Sequence, residues 1–307
     1  MDVTGENLLR INRYNHMERS ISTGYGDYER LRDIDTNPCN LAKRTHANIS
    51  LLFNSGMQAI SSLISYLEHR KHIQTLYDVQ VYPEIAALIG GEKIKIETEE
   101  FKPCAYLFDS ITMDGKWRDM AGIIARIHAA GGLAIVDNTF GALHSSPVDS
   151  GADFVVESLT KYVTGHLDGM SGLLAAHNDR ITEMDMIEMT EYFQHGGMLA
   201  TKETRQRVKY GMETFDLRMA RIEQNARTVT RKLAEMGFHA AYPQIGGIIW
   251  IHGVEKEIVN RFSQITGSDT FGLNHTTWCY LELPHILRLS IGIEPVEIIL
   301  KDIEGML

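Results

Sequence analysis

A chain of 307 residues, 44% hydrophobic and 23% charged, has the composition of a folded globular protein and can bury one large core beside a smaller one. Its net charge of −10, with no basic block, excludes nucleic acid as the main partner. No apolar run reaches membrane-spanning length, the N-terminal stretch lacks the apolar centre of a signal peptide, and Cys39, Cys104 and Cys279 lie far apart without CxxC or metal-ligand spacing. These features predict free thiols, no metal, no membrane partner and a cytoplasmic location.

Residues 1–45 mix Gly, Asp and Arg around the turn signal Asn37-Pro38 and read as an arm laid over another surface. The step Asn54-Ser55-Gly56-Met57 precedes apolar residues at 60, 63, 64 and 67, a helical spacing. It therefore opens a helix whose free N–H groups and dipole favour a phosphate, with Ser55 as a plain N-cap the simpler alternative. Strands are expected at 73–79 and 105–110, a helix at 119–130, and further strands at 133–136 and 154–156. Such βαβ alternation predicts a mainly parallel sheet with its ligand crevice at the carboxyl ends of the strands. Asp137 and the group Ser158-Leu159-Thr160-Lys161 follow two of those strands and share that rim.

A lysine amine and a carboxylate in one crevice suit pyridoxal 5′-phosphate (PLP). The amine forms the Schiff base, the carboxylate pairs with the pyridinium nitrogen, and hydroxyls beside the lysine can donate to the phosphate. Residues 177–237 are helical by composition and periodicity. From about Phe238 short apolar strands alternate with turns before a helix at 295–307, the pattern of a small α/β domain. Within it, Arg288 presents a planar fork suited to a carboxylate.

The strings VDNTF and SLTKYVTGH, the spacing of Asp137 to Lys161, the Ser55-Gly56-Met57 step and the closing LRLSIGIE resemble the cysteine/methionine-metabolism family of fold-type I PLP enzymes. That family includes cystathionine γ-synthase, cystathionine lyases and methionine γ-lyase. A run of Gly211, Met212, Thr214, Arg218, Met219, Arg221, Asn225 and Ala226 is similar to the family's helix between its two domains, and the resemblance covers roughly residues 25–307. It implies an α/β architecture of PLP-dependent transferase fold type I, with an N-terminal arm (1–45), a large PLP-binding domain (46–215) and a small C-terminal α/β domain (216–307).

The implied activity is γ- or β-elimination or replacement on a sulfur- or oxygen-substituted amino acid. Lys161 would hold the cofactor and then act as base, with Asp137 on the ring nitrogen. Ser55, Gly56, Met57, Ser158 and Thr160 would grip the phosphate, joined by Tyr28 and Arg30 from a neighbouring subunit. Tyr82, with Tyr77 as the alternative, would stack on the ring, while Arg288 and Thr270 would take the substrate carboxylate. A homodimer at least, and a tetramer by resemblance, is implied.

Three departures stand out. Pro83-Glu84 follow Tyr82 where the family has small residues. Met113 stands where the family carries an Asn that bonds the ring hydroxyl, leaving Asp114 or Thr112 as substitutes. The segment before Arg288 is abbreviated on the substrate side. Transamination and a PLP-binding scaffold without catalysis are the alternatives. A dinucleotide-binding dehydrogenase is excluded by the lack of GxGxxG after the first strand.

Overall fold

The computed structural model describes residues 35–89, 92–166, 168–177, 179–282 and 285–305. Strands β1 (Ile49–Phe53), β2 (Thr75–Asp78), β3 (Lys93–Ile94), β4 (Ala105–Asp109), β5 (Leu133–Asp137), β6 (Phe154–Ser158) and β7 (Gly172–Ala176) form one sheet in the order β1-β7-β6-β5-β4-β2-β3. From β6 to β3 all neighbours are parallel, and β7 runs antiparallel to both β6 and β1. Burial on both faces explains why these strands are continuously apolar rather than alternating.

Two helical layers cover the sheet. On one face lie α2 (Gly56–His69) and α5 (Glu183–His195), which pack Leu63, Leu67 and Phe193 on Leu107 and Val156. On the other, α4 (Met120–Ala129) sets Ile123 and Ile127 on Phe108 and Val136. Short helices α1 (Leu41–Arg44) and α3 (Pro83–Ile89) complete this part. Of the expected arm, residues 35–45 pack on their own chain: Leu41 is fully buried, and Arg44 pairs with Asp216 at 2.7 Å.

The region expected to be largely helical is so, as two helices. The capping box of Thr182 and Asp185 starts α5, and Gly197 at φ +65° turns the chain before Thr201 caps α6 (Lys202–Glu235). The expected boundary between residues 215 and 216 falls inside this 34-residue helix. Strands β8 (His239–Ala241), β9 (Ile248–His252), β10 (Thr266–Gly267), β11 (Thr277–Leu281) and β12 (Ile286–Ser290) form a second sheet, ordered β10-β11-β12-β9-β8. It is antiparallel except for the β10–β11 pair. One face packs Ile249, Leu287 and Leu289 against α6 and the closing helix α7 (Val296–Glu304).

Gly211, Arg218 and Asn225 recur every seventh residue, on one face of α6. Gly211 lets the helix touch the chain after Lys161: a Cβ there would lie 2.2 Å from the Val163 carbonyl oxygen. Arg218 donates to the carbonyls of Tyr162 and Val163, both at 2.7 Å, and of Gly211 at 2.9 Å. Asn225 donates to the carbonyls of Gly292 (3.0 Å) and Glu294 (2.9 Å), just past β12. One helix face thus fixes the Lys161 turn and the second sheet together. Gly211→Ala gains about 1 kcal/mol of helix propensity, but overpacking against a fixed backbone costs about 1–3 kcal/mol. We therefore expect a lower denaturant midpoint for Gly211→Ala; an unchanged or higher midpoint would contradict the close approach.

Candidate active site

Strands β2, β4, β5 and β6 end on Asp78, Asp109, Asp137 and Ser158, which share the carboxyl-end rim. The Asp137 carboxylate accepts from the Thr139 amide (2.9 Å) and hydroxyl (2.6 Å) through the same oxygen. That hydroxyl in turn accepts from the Ser158 amide at 2.9 Å, so Thr139 ties the ends of β5 and β6 together. Burial pushes the Asp137 carboxyl up, while the two Thr139 bonds and the Lys161 charge pull it back toward ionisation.

Neighbouring acids have different environments. Asp109, opposite Asp137 in the sheet register, is buried with no hydrogen-bond donor on its carboxyl among the described residues. Desolvation, then the charges of Asp137 and Asp78, holds it well above the usual carboxylate range. Glu157 is raised by burial likewise and accepts from Asn138 at 2.6 Å. Asp78 is paired with Arg118. Asp137 alone among these rim acids is drawn toward ionisation by a lysine.

Lys161 lies in the turn after β6, and its Nζ donates to the Thr270 hydroxyl at 2.7 Å. The same Nζ stands 5.2 Å from the centroid of the Phe271 ring. Arg288, from β12, places its Cζ 5.4 Å from that centroid, and Phe140 stacks on Phe271 at 4.9 Å. Gly272 makes the crossing possible, since a Cβ there would fall 3.0 Å from the Lys161 Cβ and its φ is +74°. Burial lowers the Lys161 amine below its ordinary value, and the Arg288 charge lowers it further against the pull of Asp137. The result is a neutral, nucleophilic amine more accessible at physiological pH.

Arg288 is 6% exposed and donates to the Asp269 carbonyl at 2.9 Å. Its Nε is buried without a partner, and among the described residues no carboxylate pairs with it. A buried cation left this way is costly, and an incoming carboxylate relieves the cost by bidentate bonding.

Ser55, Gly56 and Met57, expected on the phosphate side, stand at the start of α2. Ser55 caps the helix by accepting from the Gln58 amide at 3.0 Å. Gly56 sits so close to β6 that a Cβ would lie 2.9 Å from the Ser158 Cβ, so the first helical amides, those of Gly56 and Met57, adjoin Ser158. Thr160 is engaged elsewhere: its hydroxyl accepts from the Ser171 amide (3.0 Å) and donates to the Ser171 carbonyl (3.2 Å), closing the entry to β7.

Tyr82 is 50% exposed ahead of α3, with Glu84 and Asp269 as charged neighbours, whereas Tyr77 is buried in β2. Asp269, whose charge reaches Tyr82, also accepts from Arg288 through its backbone carbonyl. Segment 112–116 closes on itself: Thr112 donates to Asp114 at 2.5 Å, and Asp114 pairs with Lys116 at 2.6 Å. Both suggested substitutes for the ring-hydroxyl donor are thus committed locally. Tyr28 and Arg30 lie outside the described residues. Thr139 and Phe271 were not singled out by sequence, although Thr139 stands inside the string VDNTF and Phe271 directly follows Thr270.

The residues present fit PLP. A helix N-terminus adjoins Ser158, a carboxylate is oriented by Thr139, a lysine of lowered basicity feels that carboxylate's charge, and a guanidinium carries an unpartnered nitrogen. Comparison with known proteins agrees. The family model for Cys/Met metabolism PLP-dependent enzymes matches residues 92–246. A cystathionine γ-synthase of Haemophilus influenzae is 29% identical over 197 residues, 56% of this chain, so that the match spans about half, 52%, of that protein. A cystathionine γ-synthase/O-acetylhomoserine (thiol)-lyase of Bacillus subtilis is 28% identical over 96% of this chain and 88% of its own length. A Campylobacter jejuni structure carrying N′-pyridoxyl-lysine-5′-monophosphate has the same fold, with a TM-score of 0.76 at 17% identity, covering 91% of this chain and 87% of that one. The chain belongs to the Cys/Met metabolism family of PLP-dependent enzymes.

Proposed function

We propose that this chain removes or replaces a substituent at Cγ or Cβ of a sulfur- or oxygen-substituted amino acid, of cystathionine or homoserine-ester type. The observation that carries the proposal is the placing of Lys161 and Arg288 over one face-defining ring, Phe271, on the rim that holds Asp137. Bound there, PLP supplies an electron sink for negative charge at the substrate Cα. Asp137, whose ionised form is favoured by Thr139 and Lys161 against the effect of burial, would pair with the ring nitrogen. Lys161 would be the amine that holds the cofactor and the base that takes and returns the substrate Cα proton. Thr270 orients Nζ for this through its 2.7 Å bond.

Arg288 takes the α-carboxylate with its free Nε. Ser55, Gly56, Met57 and Ser158 grip the phosphate, and Thr160 contributes by bracing the Lys161 turn against Ser171. Tyr82, open to solvent beside Asp269, guards the leaving-group side. Tyr28 and Arg30 would complete the phosphate contacts of a neighbouring copy, giving a homodimer at least and a tetramer if dimers pair. Among the described residues no helix is long and apolar enough to cross a membrane.

Elimination is read directly from products. With an O-acylated homoserine we expect a 2-oxo acid and ammonia, or a replaced thioether when a thiol is supplied. Accumulation of pyridoxamine phosphate alone would instead mean transamination. Arg288→Gln should raise KM for the amino acid on the order of ten- to a hundredfold, the worth of a charged hydrogen bond. An unchanged KM would remove Arg288 from the substrate site.

A pH test follows from the lysine. The Arg288 charge lowers the Lys161 amine, so Arg288→Gln must raise it. Labelling of Lys161 by trinitrobenzenesulfonate in cofactor-free protein, followed against pH by peptide mass, should shift its midpoint to higher pH in the variant. A shift to lower pH would overturn the electrostatic reading.

A further inference from the structure

Strand β11 runs antiparallel to β12 with Cys279 opposite Arg288. Opposed residues of such a pair point to the same face of the sheet, with Cβ atoms roughly 4.5–5.5 Å apart. Cys279 therefore stands on the face where Arg288 meets Phe271 and the Asp269 carbonyl. On the other flank of Arg288 the register partner is Trp250, which is fully buried. Cys279 is a free, half-buried thiol. The pocket around the guanidinium is thus closed by an indole on one side and bordered on its more open side by a thiol. The unpartnered Nε, on a residue more than nine-tenths buried, marks that pocket as a place for an anion.

We propose that Cys279 forms the open-side wall of the pocket in which Arg288 receives the substrate carboxylate, and that capping its thiol closes this pocket. The inference rests on the reading of Arg288 given above. A small thiosulfonate, methyl methanethiolsulfonate, supplies the cap. The Cys279 sulfur attacks the reagent's sulfenyl sulfur, the S–S bond forms as the S–SO2 bond breaks, methanesulfinate leaves, and the thiol proton passes to buffer. The added S-methyl group extends into the space between β11 and the guanidinium. Dithiothreitol removes it as methanethiol. The remaining cysteines serve as internal controls: Cys39 lies beside α1 and Cys104 at the amino end of β4, neither of them in a strand of this sheet.

The test uses holoenzyme and L-norvaline, an α-amino acid with no leaving group. Labelling of each cysteine is followed by peptide mass, and norvaline affinity by calorimetry. At about ten times Kd, norvaline should slow labelling of Cys279 about tenfold while Cys39 and Cys104 change less than about twofold. Capped protein should bind norvaline at least about tenfold more weakly, with recovery in dithiothreitol, and Cys279→Ser should show no further loss on treatment. If Arg288→Gln leaves norvaline affinity unchanged, the carboxylate role of Arg288 fails and this inference falls with it. If Arg288→Gln weakens binding, yet Cys279 labels equally fast with norvaline present and the capped protein binds normally, the role of Cys279 alone is overturned.

Discussion

One buried guanidinium holds the active site in register. Arg218 on α6 is surrounded by backbone carbonyls rather than by a carboxylate, and its Nε is used by Thr214 at 3.0 Å. Two of those carbonyls belong to Tyr162 and Val163, just after Lys161, so the turn that aims the lysine is fastened to the helix. Seven residues on, Asn225 fastens the chain leaving β12, the strand of Arg288. The separation of the two cations across Phe271 is therefore set by a single helix face. Loss of Arg218 would leave several buried carbonyls unsatisfied, a penalty of about 1–3 kcal/mol for each, and would release the turn.

The rim itself separates acids by environment. Desolvation acts on Asp109, Asp137 and Glu157 alike, and what differs is the company each keeps. Asp109 has only other acids beside it and Glu157 a neutral amide, while Asp137 has two Thr139 donors and a lysine. Carboxyls on one sheet rim are in this way given different tendencies to ionise by their neighbours. Placing Arg288 close to Lys161 uses the same low dielectric in the opposite sense: one cation is kept charged and unpaired, and its charge adds to burial in making the lysine amine easier to deprotonate.

Much of this was legible in the sequence because it is written locally. Apolar runs at 133–136 and 154–156 are strands, Ser55 is a helix N-cap, and Arg288 lies in a strand, each following from residue type and period. The resemblance then supplied roles that no period contains. What stayed hidden depends on contacts between distant segments. Phe271 as the common wall, Thr139 as the link between β5 and β6, and Cys279 opposite Arg288 all arise from the meeting of strands or loops far apart in the chain. The break between α5 and α6 was missed because strong helix formers on both sides mask a two-glycine turn. Thr160 shows the converse: its hydroxyl stands in the expected string but is spent on Ser171.

The central claim is that Lys161 is the residue that carries the cofactor. Reduction of the PLP-loaded protein with borohydride, followed by peptide mass mapping, tests it directly. The account predicts a phosphopyridoxyl group fixed on Lys161 alone, absent from Lys161→Ala treated in the same way. Attachment at a different lysine, or none in protein shown to be folded and exposed to PLP, would contradict it.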